Sequence, residues 1–355
     1  MKILYVAYPL LTVSEDSAGG AEQMLWTLER QMATRGMHTI IAASAGSRVS
    51  GELFITGEPC SEPDGFDRRN REHQDKIVEF VRACEHQGLA FDLVHDKSGS
   101  FWQRASEMNV PVVATLHLPR HFYSAELFKN VPENVIFNCV SASQARSFAD
   151  LNPTVVSNGI LLDRFEPYFG PHAGLLWLGR ICEEKAPHLA LDIAERANQP
   201  ITLAGQVYPF SYHQQYFERE VAPRLERMQN AVFIPAPSSE QKRQLLRECK
   251  AVLVTSLVDE TSSLVAMEAA ASGVPVIAFG RGALPEIVQS GVTGFVVDGV
   301  EEAVEALKRV GEIHPADCMK HARTNFSSTK MTDDYARLYK QMTEREVSNL
   351  LPMTL

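Results

Sequence analysis

The sequence predicts an α/β protein made of two doubly wound domains. Short β-branched runs alternate with helical patterns from end to end, and the pattern restarts near residue 175 after a connector rich in Pro, Gly and aromatics. The chain has 355 residues, enough for about two domains at ~150 residues each. Candidate strands in the first half are Ile3–Tyr8, Thr39–Ala43, Leu93–His95, Val112–Leu116 and Val135–Val140. They are near-continuous apolar runs, as a parallel sheet covered on both faces requires. Between the first two, Ala21–Arg35 places Met24, Leu25, Leu28 and Met32 on one face with Gly36 beyond, the mark of an amphipathic helix and its stop. The apolar opening has no convincing cleavage site and reads as a buried strand rather than a signal peptide. Arg164–Gly174 is the connector. The second half supplies Leu175–Leu178, Ile201–Ala204, Ala251–Val254, Val274–Phe279 and Phe295–Val297. In such sheets ligands bind beyond the carboxyl ends of the strands, so the loops there are where chemistry is sought.

Composition narrows the functions. Apolar residues make up 45% and charged residues 22%, which excludes disorder, collagen-like repeats and a coiled coil. A net charge of −10 speaks against non-specific nucleic-acid binding. No run approaches the ~20 apolar residues of a membrane span, which leaves only peripheral membrane contact open. The six cysteines are scattered without a CxxC pair, and predict mostly buried thiols in a reducing cytoplasm rather than a zinc knuckle or a disulfide framework. Arg68-Arg69-Asn70-Arg71 reads as a solvated loop rather than an anionic docking patch. Asn325-Phe326-Ser327 is a glycosylation sequon by pattern only.

Three loops carry candidate chemistry. Ala18-Gly19-Gly20-Ala21-Glu22 precedes the first helix, where glycines let a phosphate or sugar approach the backbone and the helix start offers N–H groups. An ordinary glycine turn explains it equally well, and GxGxxG is absent. After Leu175–Leu178, Gly179-Arg180 leads to Lys185, with Pro187 suited to a helix start. Two cations and a helix dipole converging there suit a diphosphate; the alternative is pairing of the cations with Glu183 and Glu184. The third is Glu260-Thr261-Ser262-Ser263-Leu264-Val265-Ala266-Met267-Glu268, followed by Ala269-Ala270-Ala271-Ser272-Gly273. Ser262 or Ser263 can cap a helix, placing Glu260 at its mouth and Glu268 about two turns inside. A Glu in a tightly packed helix needs a polar partner, such as a ligand hydroxyl. On spacing alone, one capping-region Glu and one solvated Glu is the competing reading. His117 at a strand end is also consistent with a packed, hydrogen-bonded residue, and Pro119 argues against a metal pair with His121.

Glu260 and Glu268, the small-residue helix and Gly273-Val274-Pro275-Val276-Ile277-Ala278 together resemble the nucleotide-sugar motif of retaining glycosyltransferases of family 4. Further segments match in order: Gly19–Glu22, Thr115–His117, Val140–Ser143, Val156–Ile160, Leu178–His188, Leu203–Gly205, Gly282–Asp298 and Phe326–Tyr339. The resemblance implies a GT-B fold, two facing Rossmann-like domains with the donor cleft between them. It divides the chain into 1–165 on the acceptor side, 166–328 binding the nucleotide-sugar, and 329–355 as a helix crossing back. It also implies a retaining, metal-independent transferase that needs no cofactor and takes a UDP-hexose or, as the second choice, GDP-mannose. The acceptor is then a hydroxyl of a glycan, a lipid-linked sugar or a small molecule. Arg180 and Lys185 match the basic pair for the donor diphosphate, Glu260 the contact to the sugar hydroxyls, and Glu268 the ribose contact. Backbone N–H groups around Ser263, Leu264 and Val265 touch sugar or phosphate. His117 matches the histidine beside the transferred sugar, and Gly19 and Gly20 line the diphosphate and acceptor side.

Two departures stand out. Thr261-Ser262-Ser263 replaces the family's common Pro-Phe-Gly and bears on donor choice, and Ala186 stands where Gly is common. A nucleotide-sugar epimerase, a non-catalytic sugar-nucleotide-binding module and a glycosidase using Glu260 and Glu268 are the competing classes. The last leaves the cation pair unexplained.

Overall fold

The computed structural model describes residues 1–17, 19–60, 65–166, 170 and 172–350, with side chains through residue 344. Ala18 of the first glycine turn, and residues 167–169 and 171 of the connector, lie outside the described residues. The chain forms two compact units, Met1–Gly159 with Ser328–Leu355, and Ile160–Ser327. Their junction precedes the connector because Ile160 belongs to the second unit. Its N–H donates to the Phe326 carbonyl at 2.8 Å, and its side chain is buried in that unit's core.

In the first unit, β1 (Lys2–Val6), β2 (His38–Ser44), β3 (Glu52–Gly57), β4 (Leu93–Asp96), β5 (Val112–Leu116), β6 (Val135–Cys139) and β7 (Thr154–Val155) form a parallel sheet. The strand order is β3-β2-β1-β4-β5-β6-β7. Helices α1 (Gly20–Thr34), α2 (Phe66–His86) and α3 (Ala142–Ser147) follow β1, β3 and β6. The central strands β4 and β5 are buried throughout. The two strands that apolar periodicity does not predict, β3 and β7, are the sheet's edges and are half-exposed. Arg68–Arg71 lies in the first turns of α2 rather than in a loop. There Arg69 donates to the Glu58 carbonyl at 2.8 Å and to Thr56 Oγ1 at 3.1 Å.

The second unit repeats the plan. Strands β8 (Leu175–Leu178), β9 (Ile201–Gly205), β10 (Ala231–Pro235), β11 (Ala251–Val254), β12 (Val276–Phe279) and β13 (Gly294–Val297) pair in parallel, in the order β10-β9-β8-β11-β12-β13. Helices α4 (Pro187–Arg196), α5 (Ser211–Tyr216), α6 (Ala222–Arg227), α7 (Ser239–Glu248), α8 (Leu264–Ala271), α9 (Leu284–Ile287), α10 (Val300–Leu307) and α11 (Pro315–Asn325) surround it. Again the unpredicted strand, β10, is an edge. The small residues of α8 press on α11 as well as on β11 and β12.

The last helix, α12 (Ser328–Leu350), belongs to the first unit and packs on α1. A buried polar network fastens it to the sheet. The Tyr335 hydroxyl accepts from Lys97 Nζ at 3.1 Å and from Asn138 Nδ2 at 3.1 Å, and His95 joins the Tyr339 hydroxyl to Thr115 Oγ1. Such a network is stable only when its members are satisfied, so it specifies where α12 docks. Among the described residues, no helix is long and apolar enough to cross a membrane.

Backbone closeness at one strand end is testable. A Cβ on Gly205 would stand 1.8 Å from the Gly179 carbonyl oxygen, at the point where the loop bearing Arg180 leaves β8. Gly205→Ala is expected to lower stability by about 1–3 kcal/mol in urea unfolding. Gly311→Ala, where a Cβ meets nothing within 4 Å, should leave the midpoint nearly unchanged.

Candidate active site

The loop after β8 is held to the neighbouring strand: Gly179 N–H donates to the Ala204 carbonyl at 3.1 Å, and Ile181 N–H to the Gln206 carbonyl at 3.0 Å. Arg180 is exposed, with its guanidinium 5.8 Å from the Tyr208 ring centre. Burial works to lower its pKa, but Cys182, Glu184 and Tyr208 outweigh that and hold it raised and charged. Glu183–Lys185 is a 3-10 turn closed by Ala186 in the left-handed region at φ 46°, with Pro187 opening α4. That conformation costs an L-residue about 1–2 kcal/mol. Thr255 Oγ1 braces it through the carbonyls of Lys185 and Ala186, at 3.2 and 2.8 Å.

Lys185 does not pair with Glu183 or Glu184 through its ammonium. Its Nζ makes a short ion pair with Glu260 Oε1, which also accepts from Ser256 Oγ. Glu260 is 7% exposed and the Lys185 side chain 31%. The carboxylate is therefore compensated by a cation and a hydroxyl, as a buried charge requires. From the other side, Gly282 at φ 58° lets its loop reach the Glu260 backbone; a Cβ there would lie 2.3 Å from the Glu260 carbonyl. Ala283 N–H donates to that carbonyl at 2.7 Å.

Of the two candidate caps, Ser263 caps α8, its Oγ accepting from Ala266 N–H at 3.4 Å. Ser262 Oγ is buried without a protein partner. The first-turn N–H groups of Leu264 and Val265 have no intrahelical acceptor, so they sit at the positive end of the helix. Glu268 lies about one turn inside α8, not two, because the helix begins at Leu264 rather than at the serines. Burial raises its carboxyl to about 7, against the lowering pull of Lys242 and Arg243.

The first unit holds the other candidates. Gly19 is the N-cap of α1 and Gly20 its first residue. A Cβ on Gly19 would meet the Glu22 carboxylate at 2.0 Å, so a side chain there would have to displace the end of Glu22. Burial raises the Glu22 pKa. His117 directly follows β5, and burial, then the Lys97 charge, holds its imidazole well below the usual range and neutral. Gln144 clamps the backbone on both sides of it: Nε2 donates to the carbonyls of Leu116 at 3.0 Å and Leu118 at 3.1 Å, while Oε1 accepts from Val140 N–H at 2.8 Å. The His121 ring lies against Phe122, with centroids 4.4 Å apart and the planes tilted by 37°.

Sequence reading missed Gln144, Ser256, Lys97 and Gly282. Gln144 directly follows Val140–Ser143, and Gly282 opens another of the matching segments, so both lay beside visible signals. Ser256 and Lys97 carry none. Among the described residues, Cys182, Glu184 and His213 form one group able to hold a metal ion.

Residues 170–324 match the family of glycosyl transferases group 1. The chain is similar to the D-inositol 3-phosphate glycosyltransferase of Mycobacterium sp. (strain KMS), at 27% identity over 82% of this chain and 77% of that protein. Its fold is similar to that of Anabaena HepE solved with UDP-glucose, with a TM-score of 0.75 and 17% identity over 96% of this chain and all of that one. Sucrose-phosphate synthase from Thermosynechococcus elongatus aligns with a TM-score of 0.79 and 18% identity, over 97% of this chain and 100% of that chain. The two parallel-sheet units have the GT-B fold, and the group 1 match across the second of them, with the likeness to the mycobacterial relative, supports a glycosyltransferase.

Proposed function

We propose that the protein is a retaining, metal-independent hexosyltransferase acting in the cytoplasm. Its donor is a nucleoside-diphosphate hexose, a UDP-hexose as first choice and GDP-mannose as the alternative, and it glycosylates a hydroxyl of a glycan, a lipid-linked sugar or a small molecule. The observation that carries this reading is the Lys185–Glu260 pair beside the N-terminus of α8. A cation and a carboxylate there sit next to unpaired helix N–H groups and the unpartnered Ser262 hydroxyl. The HepE structure with UDP-glucose supports the donor class, and the relative's name supports a phosphorylated polyol among the small acceptors.

In this reading Arg180, Lys185 and the α8 N-terminus neutralise the charge that develops on the departing diphosphate. Glu260 accepts hydrogen bonds from the sugar hydroxyls, and Glu268 from the ribose diol. The C1–phosphate oxygen bond breaks as the acceptor oxygen bonds C1 on the same face, and the acceptor proton passes to the leaving phosphate oxygen. His117, neutral and weakly basic, suits sugar positioning rather than proton removal. Gly19 and Gly20 line the diphosphate and acceptor side.

The direct test is incubation with UDP-glucose and phosphorylated and plain polyols, reading UDP release and product configuration by NMR. A product that keeps the donor's anomeric configuration, formed at the same rate in EDTA, is expected. Lys185→Ala and Glu260→Ala should each lower transfer about 100-fold or more while circular dichroism stays native. An inverted product, or full activity in both variants, contradicts the reading.

Glu268 adds a pH signature. With its folded carboxyl at about 7, the group is protonated below that value and a poorer acceptor for the ribose diol. UDP affinity should therefore weaken as pH falls from about 8 to about 6, and Glu268→Gln should remove that part of the slope. Parallel profiles for the two proteins in UDP titrations would exclude Glu268 from the ribose contact.

A further inference from the structure

We propose that Cys182, Glu184 and His213 form a binding site for a divalent transition-metal ion of the zinc type. The site lies in the second unit and uses none of the side chains assigned to the donor. Cys182 and Glu184 alternate along the loop after β8, and His213 lies on α5. One ligand atom from each, a sulfur, a carboxylate oxygen and a ring nitrogen, lies within 4.8 Å of the other two. Bond lengths of about 2.0–2.3 Å around tetrahedral zinc place ligand atoms roughly 3.5 Å apart, so side-chain shifts of about 1 Å close the site.

The polar accounting points to a missing partner. Cys182 is 0% and His213 1% exposed, yet His213 Nδ1 and Glu184 Oε2 are buried with no hydrogen-bond partner. A neutral imidazole with an unpartnered nitrogen, held among other potential ligands, is a ready donor for a borderline-soft cation. Burial, with the Arg180 charge, keeps His213 deprotonated. Burial opposes the Glu184 charge, but its own backbone N–H and the Cys182 thiol hold the carboxyl ionised.

Burial raises the Cys182 thiol, so the ion must displace its proton. Zn²⁺ binds, the S–H bond breaks, and one H⁺ is released to solvent. The resulting thiolate and carboxylate balance the two charges of the ion. Around the imidazole, the rings of Tyr208, Phe210 and Tyr212 stand 4.3–6.0 Å away by centroid. Three protein ligands leave a fourth position for water.

Cobalt(II) titration of the full chain tests this, after chelator treatment and with a non-thiol reductant present. Binding of one equivalent with a thiolate-to-cobalt charge-transfer band and tetrahedral visible bands, both displaced by Zn²⁺, is expected. Cys182→Ser should abolish the charge-transfer band, and Glu184→Gln and His213→Gln should each weaken cobalt binding at least tenfold. Melting temperatures of the metal-free proteins identify any variant that fails to fold. Absence of the band in the wild type overturns the proposal, as does a band unchanged in Cys182→Ser or an affinity unchanged in folded His213→Gln. No sugar nucleotide is present, so the outcome is independent of the transferase reading.

Discussion

The second unit is organised around the ion pair of Lys185 and Glu260. The two residues stand on loops after different strands, and the carboxyl end of β11 serves both. Thr255 holds the carbonyls of Lys185 and Ala186, while Ser256 donates to Glu260. A nearly buried carboxylate without its cation would be costly, so the pair also restrains the loops that carry it. Gly282, pressed on the backbone of Glu260, closes the arrangement from a third loop. Sites that must hold charge away from water are built in this way, with each charged group supported by neighbours whose own places are set by backbone contacts.

In the first unit the corresponding constraint is polar burial under α12. Lys97 is fully buried, and burial brings its ammonium down to about 7 despite the opposing pull of Asp96. Its hydrogen bond to Tyr335 joins the last helix of the chain to the end of β4. The same ammonium helps to hold His117 neutral, and Gln144 fixes the backbone that presents it. The docking of α12 and the protonation state of His117 thus share one buried group.

Much of this was legible in the sequence because buried central strands are nearly uninterrupted apolar runs. Val112–Leu116, Leu175–Leu178 and Ala251–Val254 begin and end where the pattern places them. The strands it missed, Glu52–Gly57, Thr154–Val155 and Ala231–Pro235, are edges, where one flank is free and side chains need not be apolar. Lys185, Glu260 and the Ser263 cap were visible as residue types at the ends of strands and helices. Their mutual contact was not, since pairing between loops 75 residues apart depends on strand order rather than on local spacing. At Gly19 the sequence left a ligand approach and an ordinary glycine turn equally open. The neighbour that occupies the space beside it, Glu22, is supplied by the fold.

We propose a division of labour in which Lys185 serves the diphosphate and Glu260 the sugar. Its most direct measurement is the ratio of UDP-glucose affinity to UDP affinity, by calorimetric titration of the wild type, Lys185→Ala and Glu260→Gln. The account predicts that Lys185→Ala weakens both ligands about equally, leaving the ratio unchanged, whereas Glu260→Gln weakens UDP-glucose selectively and lowers the ratio. Equal losses for both ligands in Glu260→Gln, or no loss for either in Lys185→Ala, would contradict it.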